Sequence, residues 1–180
     1  MYEAVVEMNG STYQKHQTLE SLLRQSFDDD QRRYIFMETA TGVVVRSREA
    51  IGSLPWREKS PPATGSRVRV VFRGLPTRKL GKRPDRPKTQ KFILTDVGEQ
   101  TEWARSRLAA NGLQMDDGFY VSEFSVAIKN KRESFIKAGI EVFGAGVVTD
   151  ETLFEAALLN GIGEAKPYGF GTIFILETTQ

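Results

Sequence analysis

Cysteine is absent from this 180-residue sequence, and histidine occurs once, as His16. The absence of cysteine excludes disulfide bonds, thiolate zinc sites and a cysteine nucleophile. A single histidine excludes a metal centre built from several histidines, and it makes His16 the natural candidate for acid–base chemistry near neutral pH. A carboxylate-bound magnesium ion stays possible, although no segment carries a signature for it. We therefore expect chemistry that uses no metal or other cofactor.

Long apolar runs are also missing. No stretch approaches the roughly 18 apolar residues that a membrane helix needs, and the first residues lack the basic region and apolar core of a secretory signal. We therefore expect a cytoplasmic protein with no membrane contact. Hydrophobic residues make up 39% of the chain and charged residues 27%, which is typical of a globular protein of one ordinary domain or two small ones.

Acidic residues are nearly absent from residues 66–91, where ten basic residues accompany a single acid, Asp85. The rest of the chain holds 15 basic and 22 acidic residues, so a net charge of +2 conceals a strong asymmetry. A basic concentration of this kind predicts a polyanionic partner such as nucleic acid. The alternative is a solubilising linker, because Gly81, Pro84 and Pro87 interrupt the same segment.

The predicted secondary structure repeats one order of elements. The first set comprises a strand over residues 2–8, a helix over 13–27, strands over 33–39 and 43–46, a weak helical or irregular segment over 48–56, and a strand over 67–73. The second set comprises a strand over residues 89–95, a helix over 99–110, strands over 118–128 and 134–143, a helix over 151–159 and a strand over 170–176. Two βαββαβ sets predict an α+β protein of two tandem ferredoxin-like (RRM-like) halves. We place the N-terminal half at 1–78, a basic linker at 79–88 and the C-terminal half at 89–180.

A glycine-rich segment precedes the last predicted strand and reads Gly-Ile-Gly-Glu-Ala-Lys-Pro-Tyr-Gly-Phe-Gly over residues 161–171. It is not a dinucleotide-binding fingerprint, which follows a strand and opens a helix, and it lacks the Gly-Lys-Ser/Thr of a phosphate-binding P-loop. Glycines at this density let a backbone approach a partner closely and expose N–H groups to it. The structural alternative is a sharp turn into a crowded strand.

Four segments, in order along the chain, resemble motifs of the CasE family of CRISPR precursor-RNA endoribonucleases. The first is Tyr13-Gln14-Lys15-His16-Gln17-Thr18-Leu19, which is similar to the family's Tyr-x-x-His-Gln-x-Leu motif. Residues 33–38 resemble, in loosened form, its Arg-x-Phe-Leu-Phe-x-x-Glu strand. Residues 70–78 resemble its Phe-Arg-Leu-x-Ala-Asn-Pro segment, and residues 161–171 resemble its glycine-rich loop. Trp103 also fits, whereas Glu20 and Glu164 stand where the family's pattern has other residue types.

The resemblance implies a specific activity. Members of this family bind the hairpin of a CRISPR repeat transcript and cut at its 3′ base. The upstream fragment then ends in a 2′,3′-cyclic phosphate, and the protein often stays on the product within the Cascade surveillance complex of type I-E systems. The expected partners are therefore the repeat hairpin RNA and other Cascade subunits.

Candidate catalytic residues follow from the chemistry and the resemblance together. RNA supplies its own nucleophile, the 2′-hydroxyl, so the enzyme needs groups that move protons and a charge that steadies the phosphate. His16 is assigned general acid–base work and Tyr13, three residues earlier on the same helix face, orientation or proton transfer. Lys137 lies where the family usually has a lysine, and it is the candidate for stabilising phosphate charge. Lys131 is the second choice.

Candidate RNA-binding residues lie in the basic segment, in the helix predicted over residues 99–110, in the turn between the strands predicted over 118–128 and 134–143, and in the glycine-rich loop. They are Arg78, Lys79, Lys82, Arg83, Arg86, Arg105, Arg107, Lys131, Arg132, Gly161, Gly163, Lys166, Gly169 and Gly171. Basic side chains of this kind track the phosphates and the A-form shape of an RNA duplex.

Two other functions are compatible with parts of the sequence. A non-catalytic RNA-binding subunit would use the basic surface and the glycine-rich loop but would have no need of His16. An unrelated protein of tandem ferredoxin-like halves would bind a nucleotide or metabolite and have no affinity for hairpin RNA, and the basic segment argues against it.

Overall fold

The computed structural model describes residues 1–23, 34–39, 41–80, 90–129 and 134–179, and within these ranges it excludes the side chains of several residues, Tyr13 and His16 among them. No helix among the described residues is both long and apolar enough to cross a membrane.

The first sheet comprises β1 (Tyr2–Glu7), β2 (Tyr34–Thr39), β3 (Gly42–Ser47) and β4 (Arg57–Glu58), with α1 (Thr12–Leu23) between β1 and β2. All its pairs are antiparallel and the strand order is β2-β3-β1-β4, which is the ferredoxin-like order. Leu19 and Leu23 of α1 pack on Phe36, Val43 and Val45 in one buried cluster. Helical spacing of the leucines therefore gives α1 its buried face. Residues 48–56 are irregular.

The second sheet contains β5 (Arg67–Gly74), β8 (Leu113–Met115), β9 (Tyr120–Lys129), β10 (Ser134–Val148) and β11 (Ile173–Thr179). Its order is β11-β5-β10-β8, and β9 pairs with the first part of β10. Two helices pack on it, α2 (Val97–Ala109) and α3 (Glu151–Asn160). Each helix begins at an aspartate whose side chain accepts a backbone hydrogen bond, Asp96 for α2 and Asp150 for α3, both at 2.9 Å.

This architecture confirms the predicted α+β class with two ferredoxin-like halves. One strand, β5, was predicted in the first half but lies in the second. β5 pairs with β10 and β11, so it opens the second sheet and does not close the first. Its inward residues Val68, Val70 and Phe72 all lie in the second core. The strand that completes the first sheet is β4, whose two residues are too few to show a pattern. The chain therefore passes from the first sheet to the second between residues 58 and 67, before the boundary that was predicted after residue 78.

The strand predicted at residues 89–95 also differs from expectation. It is β7 (Gln90–Ile93), and it pairs only with β6 (Thr77–Leu80), forming a separate two-stranded hairpin. The hairpin connects β5 to α2, so it is an insertion in the second half. Residues 81–88 of the predicted basic linker lie outside the described residues.

Polar contacts join the halves along β2 and β3 of the first and β5 and the start of β11 of the second. The Thr172 hydroxyl donates to the Phe36 carbonyl at 2.9 Å, and the Arg73 guanidinium donates to the Glu38 carbonyl at 2.7 Å. Arg46 of β3 is 3% exposed, donates to the Ile173 carbonyl and forms an ion pair with Glu3 at 2.7 Å. These bonds use the backbone of edge strands, so each half satisfies polar groups of the other.

Candidate active site and nucleic-acid interface

Helix α1 carries both members of the predicted catalytic pair near its N-terminus, since Tyr13 is its second residue and His16 its fifth. The start of the helix is held by a reciprocal cap. The Gln14 side-chain oxygen accepts from the Ser11 N–H at 2.9 Å, and the Gln14 N–H donates to the Ser11 hydroxyl at 3.4 Å. The side chains of Tyr13 and His16 lie outside the described part of the structure, so their roles stay predictions.

The neighbouring residue Lys15 ties α1 to the cleft between the halves. Its Nζ lies 3.2 Å from Oε2 of Glu38, at the end of β2. The other oxygen, Glu38 Oε1, is buried and has no hydrogen-bond partner among the described residues. A buried acceptor without a donor is uncommon, and this one lines a cavity between the halves.

That cavity has a volume of about 250 Å³, and its wall includes Glu38, Arg73, Phe124, Tyr168 and Gly169. The guanidinium carbon of Arg73 lies 4.1 Å from the centre of the Phe124 ring, and its Nε lies 2.7 Å from Glu141. Arg73 was not among the predicted site residues. Its outward position on β5, directly after buried Phe72 in the motif-like segment, is the sequence signal that identifies it.

Lys137 of the second sheet lies next to a residue of the cavity wall, Tyr168. It lies on β10 opposite Val126 of β9, and its Nζ is 5.1 Å from the centre of the Tyr168 ring. Tyr168 belongs to the glycine-rich loop and also lines the cavity. The structure therefore places the predicted phosphate-stabilising lysine beside the loop that precedes the last strand.

The base of the glycine-rich loop is closed by its first and last glycines. The Ile162 N–H donates to the Gly171 carbonyl at 2.7 Å, and the Gly171 N–H donates to the Arg73 carbonyl at 2.6 Å. Gly161 and Gly171 have φ of 69° and 80°. A Cβ on Gly161 would lie 2.4 Å from the Ile35 side chain, and one on Gly171 would lie 2.6 Å from the Ile162 carbonyl. Both positions therefore require glycine to close the loop.

The loop's other two glycines differ in exposure. Gly169 is buried and its N–H donates to the Lys166 carbonyl at 3.0 Å, whereas Gly163 is exposed. The N–H groups of Gly161, Gly169 and Gly171 all donate to carbonyls of the protein itself. The geometry therefore explains these glycines by the sharp turns of the loop. Contact of these glycines and of Lys166 with RNA stays a prediction.

The hairpin β6–β7 brings basic residues next to the loop. Lys79 of β6 is paired in register with Lys91 of β7, and Lys91 Nζ lies 2.6 Å from the Glu164 carboxylate in the loop. Arg78 forms an ion pair with Glu99 of α2. The remaining predicted contacts Lys82, Arg83, Arg86, Lys131 and Arg132 lie outside the described residues.

The two arginines of α2 have partners close to their own helix. Arg105 lies 3.2 Å from Asp117 and 3.7 Å from Glu102, and its guanidinium is 5.0 Å from the Phe119 ring centre. The guanidinium of Arg107 lies 5.9 Å from the Trp103 ring centre. Their part in RNA binding stays a prediction. Within the described residues no cluster of three or more histidine, aspartate or glutamate side chains is arranged to hold a metal ion.

The model of a family described as CRISPR associated protein matches residues 4–176, nearly the whole chain. The chain belongs to this family. No curated protein matches it significantly.

Solved structures of CRISPR-associated proteins share its fold. Thermus thermophilus Cse3, bound to an RNA that represents a pre-cleavage complex, is 18% identical with a TM-score of 0.72 over 98% of each chain. Cas6e of Escherichia coli K-12 is 19% identical with a TM-score of 0.70 over 97% of this chain and 98% of that chain. A chain of a CRISPR RNA-guided surveillance complex is 23% identical with a TM-score of 0.66 over 97% and 98%.

Proposed function

We propose that this protein is a metal-independent endoribonuclease of the CasE type, which cleaves CRISPR repeat hairpins in precursor RNA. The observation that carries the proposal is the position of α1 beside a cleft between the halves. Lys15 anchors that helix to Glu38 on one wall, and Lys137 and Tyr168 meet on another. The family match over residues 4–176 and the fold shared with a protein described as a CRISPR endoribonuclease bound to RNA support it.

The proposed reaction is an internal transesterification. The 2′-oxygen attacks the adjacent phosphorus and loses its proton to a base, while the P–O bond to the 5′-oxygen breaks and that oxygen receives a proton. One product ends in a 2′,3′-cyclic phosphate and the other begins with a 5′-hydroxyl. His16 performs acid–base work with Tyr13 as its partner, and the Lys137 ammonium stabilises the negative charge that builds on the phosphate.

The duplex of the hairpin is bound by the basic side of the second half. The β6–β7 hairpin presents Arg78 and Lys79 on the chain segment that the sequence shows to be most basic. Cations of this kind contact phosphates and recognise the A-form backbone, with little sequence readout. We propose that the product stays bound within a Cascade-type complex in the cytoplasm, where the precursor transcript is found.

The test is cleavage of a repeat hairpin RNA in the presence of EDTA. The proposal expects wild-type protein to cut the RNA once, to leave a cyclic phosphate and to lose no rate in EDTA. Tight binding without cleavage would identify a non-catalytic RNA-binding subunit. An absence of binding would favour an unrelated ligand, and loss of cleavage in EDTA would contradict the metal-independent mechanism.

Replacement of Lys137 by alanine is expected to lower the single-turnover cleavage rate by roughly 10²-fold, the usual effect of removing one group that stabilises transition-state charge. Binding of the hairpin should change little, because one phosphate contact among many is lost. Lys137→Arg should recover part of the rate, since it restores the charge. Arg57→Ala is the control, because it removes one positive charge from β4, at the opposite edge of the first sheet from β2. Equal losses in Lys137→Ala and Arg57→Ala would contradict the assignment.

A further inference from the structure

The glycine-rich loop carries one carboxylate, Glu164, whose position is set by unusual backbone on both sides. Gly163 has φ of 84°, and Ala165 has φ of 62°, the one non-glycine residue with positive φ in the described chain. Alanine adopts this left-handed conformation at an energetic penalty, so the surrounding structure enforces it. The turn therefore holds Glu164 at the exposed tip of a loop whose base is closed.

Glu164 meets the basic hairpin at that tip. Its Oε1 lies 2.6 Å from Lys91 Nζ, and Lys79 is the cross-strand neighbour of Lys91. The hydrogen bond from Lys91 lowers the pKa of Glu164 below its usual value; burial opposes this shift, and the positive charges of Lys91, Lys79 and Lys137 add to it. A negative group at the tip of the loop is therefore in direct contact with the basic hairpin.

The ion pair is accessible to a competitor. The side chains of Lys91 and Glu164 are 47% and 44% exposed, and an exposed ion pair of this kind contributes little to stability. An RNA phosphate is also an anion with oxygen acceptors, so it can form the same contact with Lys91. Glu164 and a phosphate cannot occupy that contact together.

Building on the proposed function, we propose that Glu164 is a specificity-determining residue that neutralises Lys91 in the RNA-free protein and is displaced by a backbone phosphate of the bound hairpin. The carboxylate lowers affinity for any polyanion at this edge. Only an RNA that also makes contacts elsewhere in the cleft then binds strongly enough to displace it.

The experiment measures the Kd of a repeat hairpin RNA in a His16→Ala background, which prevents cleavage during the measurement. Glu164→Gln is expected to tighten binding by about threefold at low salt, the scale of one exposed ion pair, and the gain should shrink as salt rises. Lys91→Gln should weaken binding little when Glu164 is present and should abolish the gain when Glu164 is glutamine. The matched control is Glu177→Gln, which removes a carboxylate from another exposed pair, 3.6 Å from Arg69, and should leave the Kd unchanged.

Unchanged or weaker binding by Glu164→Gln would overturn the inference, as would an equal gain in Glu177→Gln. In these cases the proposed function would still stand if the His16→Ala protein binds the hairpin and the wild-type protein cleaves it. A His16→Ala protein that does not bind the hairpin, together with a wild-type protein that does not cleave it, would overturn the proposed function and the inference together.

Discussion

Replacement of His16 by alanine is expected to slow cleavage of the repeat hairpin by about 10²–10⁴-fold, the range that positioned acid–base groups contribute. No second histidine exists to replace it, because the chain has one. Imidazole is the side chain best suited to exchange protons near neutral pH. The rate should be measured in single turnover from mildly acidic to mildly alkaline pH. The wild-type profile should show a limb that the His16→Ala profile lacks.

Binding separates a catalytic His16 from a structural one. If His16 acts on protons, the Kd for the hairpin should be nearly the same in wild type and His16→Ala. Thr18→Ala is the control on the same helix, since Thr18 is exposed and its hydroxyl donates to the Gln14 carbonyl at 3.0 Å. Tyr13→Phe should slow cleavage less than His16→Ala. A His16→Ala protein that cleaves at the wild-type rate would contradict the mechanism.

Replacement of Arg46 by methionine is expected to lower the free energy of unfolding by about 3–5 kcal/mol, as when one member of a buried ion pair is removed. Arg46 is almost fully buried and pairs with Glu3, which is 7% exposed. Without Arg46, Glu3 keeps a single partner among the described residues, Lys59, at 2.6 Å and half exposed, and the Ile173 carbonyl loses a donor. Urea unfolding, followed by the fluorescence of Trp56 and Trp103 in the two halves, measures the loss.

Two comparisons make this prediction specific. The double variant Arg46→Met/Glu3→Leu should regain much of the lost stability, because it removes the uncompensated charge as well as its partner. Arg69→Met breaks the exposed pair with Glu177 and should cost less than about 1 kcal/mol. Equal losses in Arg46→Met and Arg69→Met would show that burial of the pair is unimportant.

The ion pair of Glu3 and Arg46 also makes the free energy of unfolding depend on pH. Burial raises the pKa of Glu3, but Arg46 and Lys59 outweigh it, so the net pKa in the folded protein is below the ordinary value of 4.5. A lowered carboxylate pKa stabilises the fold above the unfolded-state value, and this contribution is lost as pH falls through the folded-state value. Wild-type protein should therefore lose stability below pH 4.5, and the double variant should lose less of it.

Local patterns in the sequence predicted most of the secondary structure. The helix predicted over residues 151–159 is α3 (Glu151–Asn160), because Asp150 caps it and its buried residues Phe154, Ala157 and Leu158 recur at helical spacing. The strand predicted over residues 67–73 is β5 (Arg67–Gly74) for the same kind of reason, since its buried and exposed residues alternate. Both signals lie within a few residues of the elements that they predict.

The proposed catalytic pair, Tyr13 and His16, rests on a signal of the same short range. The two residues are three apart in a motif that begins α1, so the expectation that they share a helix face needs no distant contact. Arg73 and Glu38 could not be placed in the same way, because they lie in different halves and are joined by a hydrogen bond between strands 35 residues apart in sequence. The partner of Glu164 was equally hidden, since Lys91 is 73 residues away.

By itself, then, the sequence determined where the longer helices and strands form, that the fold is α+β with two ferredoxin-like halves, and which segment is basic; the short strands β4, β6 and β8 were not predicted. Capping, periodicity and charge density are short-range properties and are visible in a linear chain. Only the tertiary structure decided that β5 belongs to the second sheet, that β6 and β7 form an inserted hairpin, and that Lys137 lies beside the glycine-rich loop. Those facts depend on hydrogen-bonding partners far apart in sequence, and their choice is made by the packing of the whole chain.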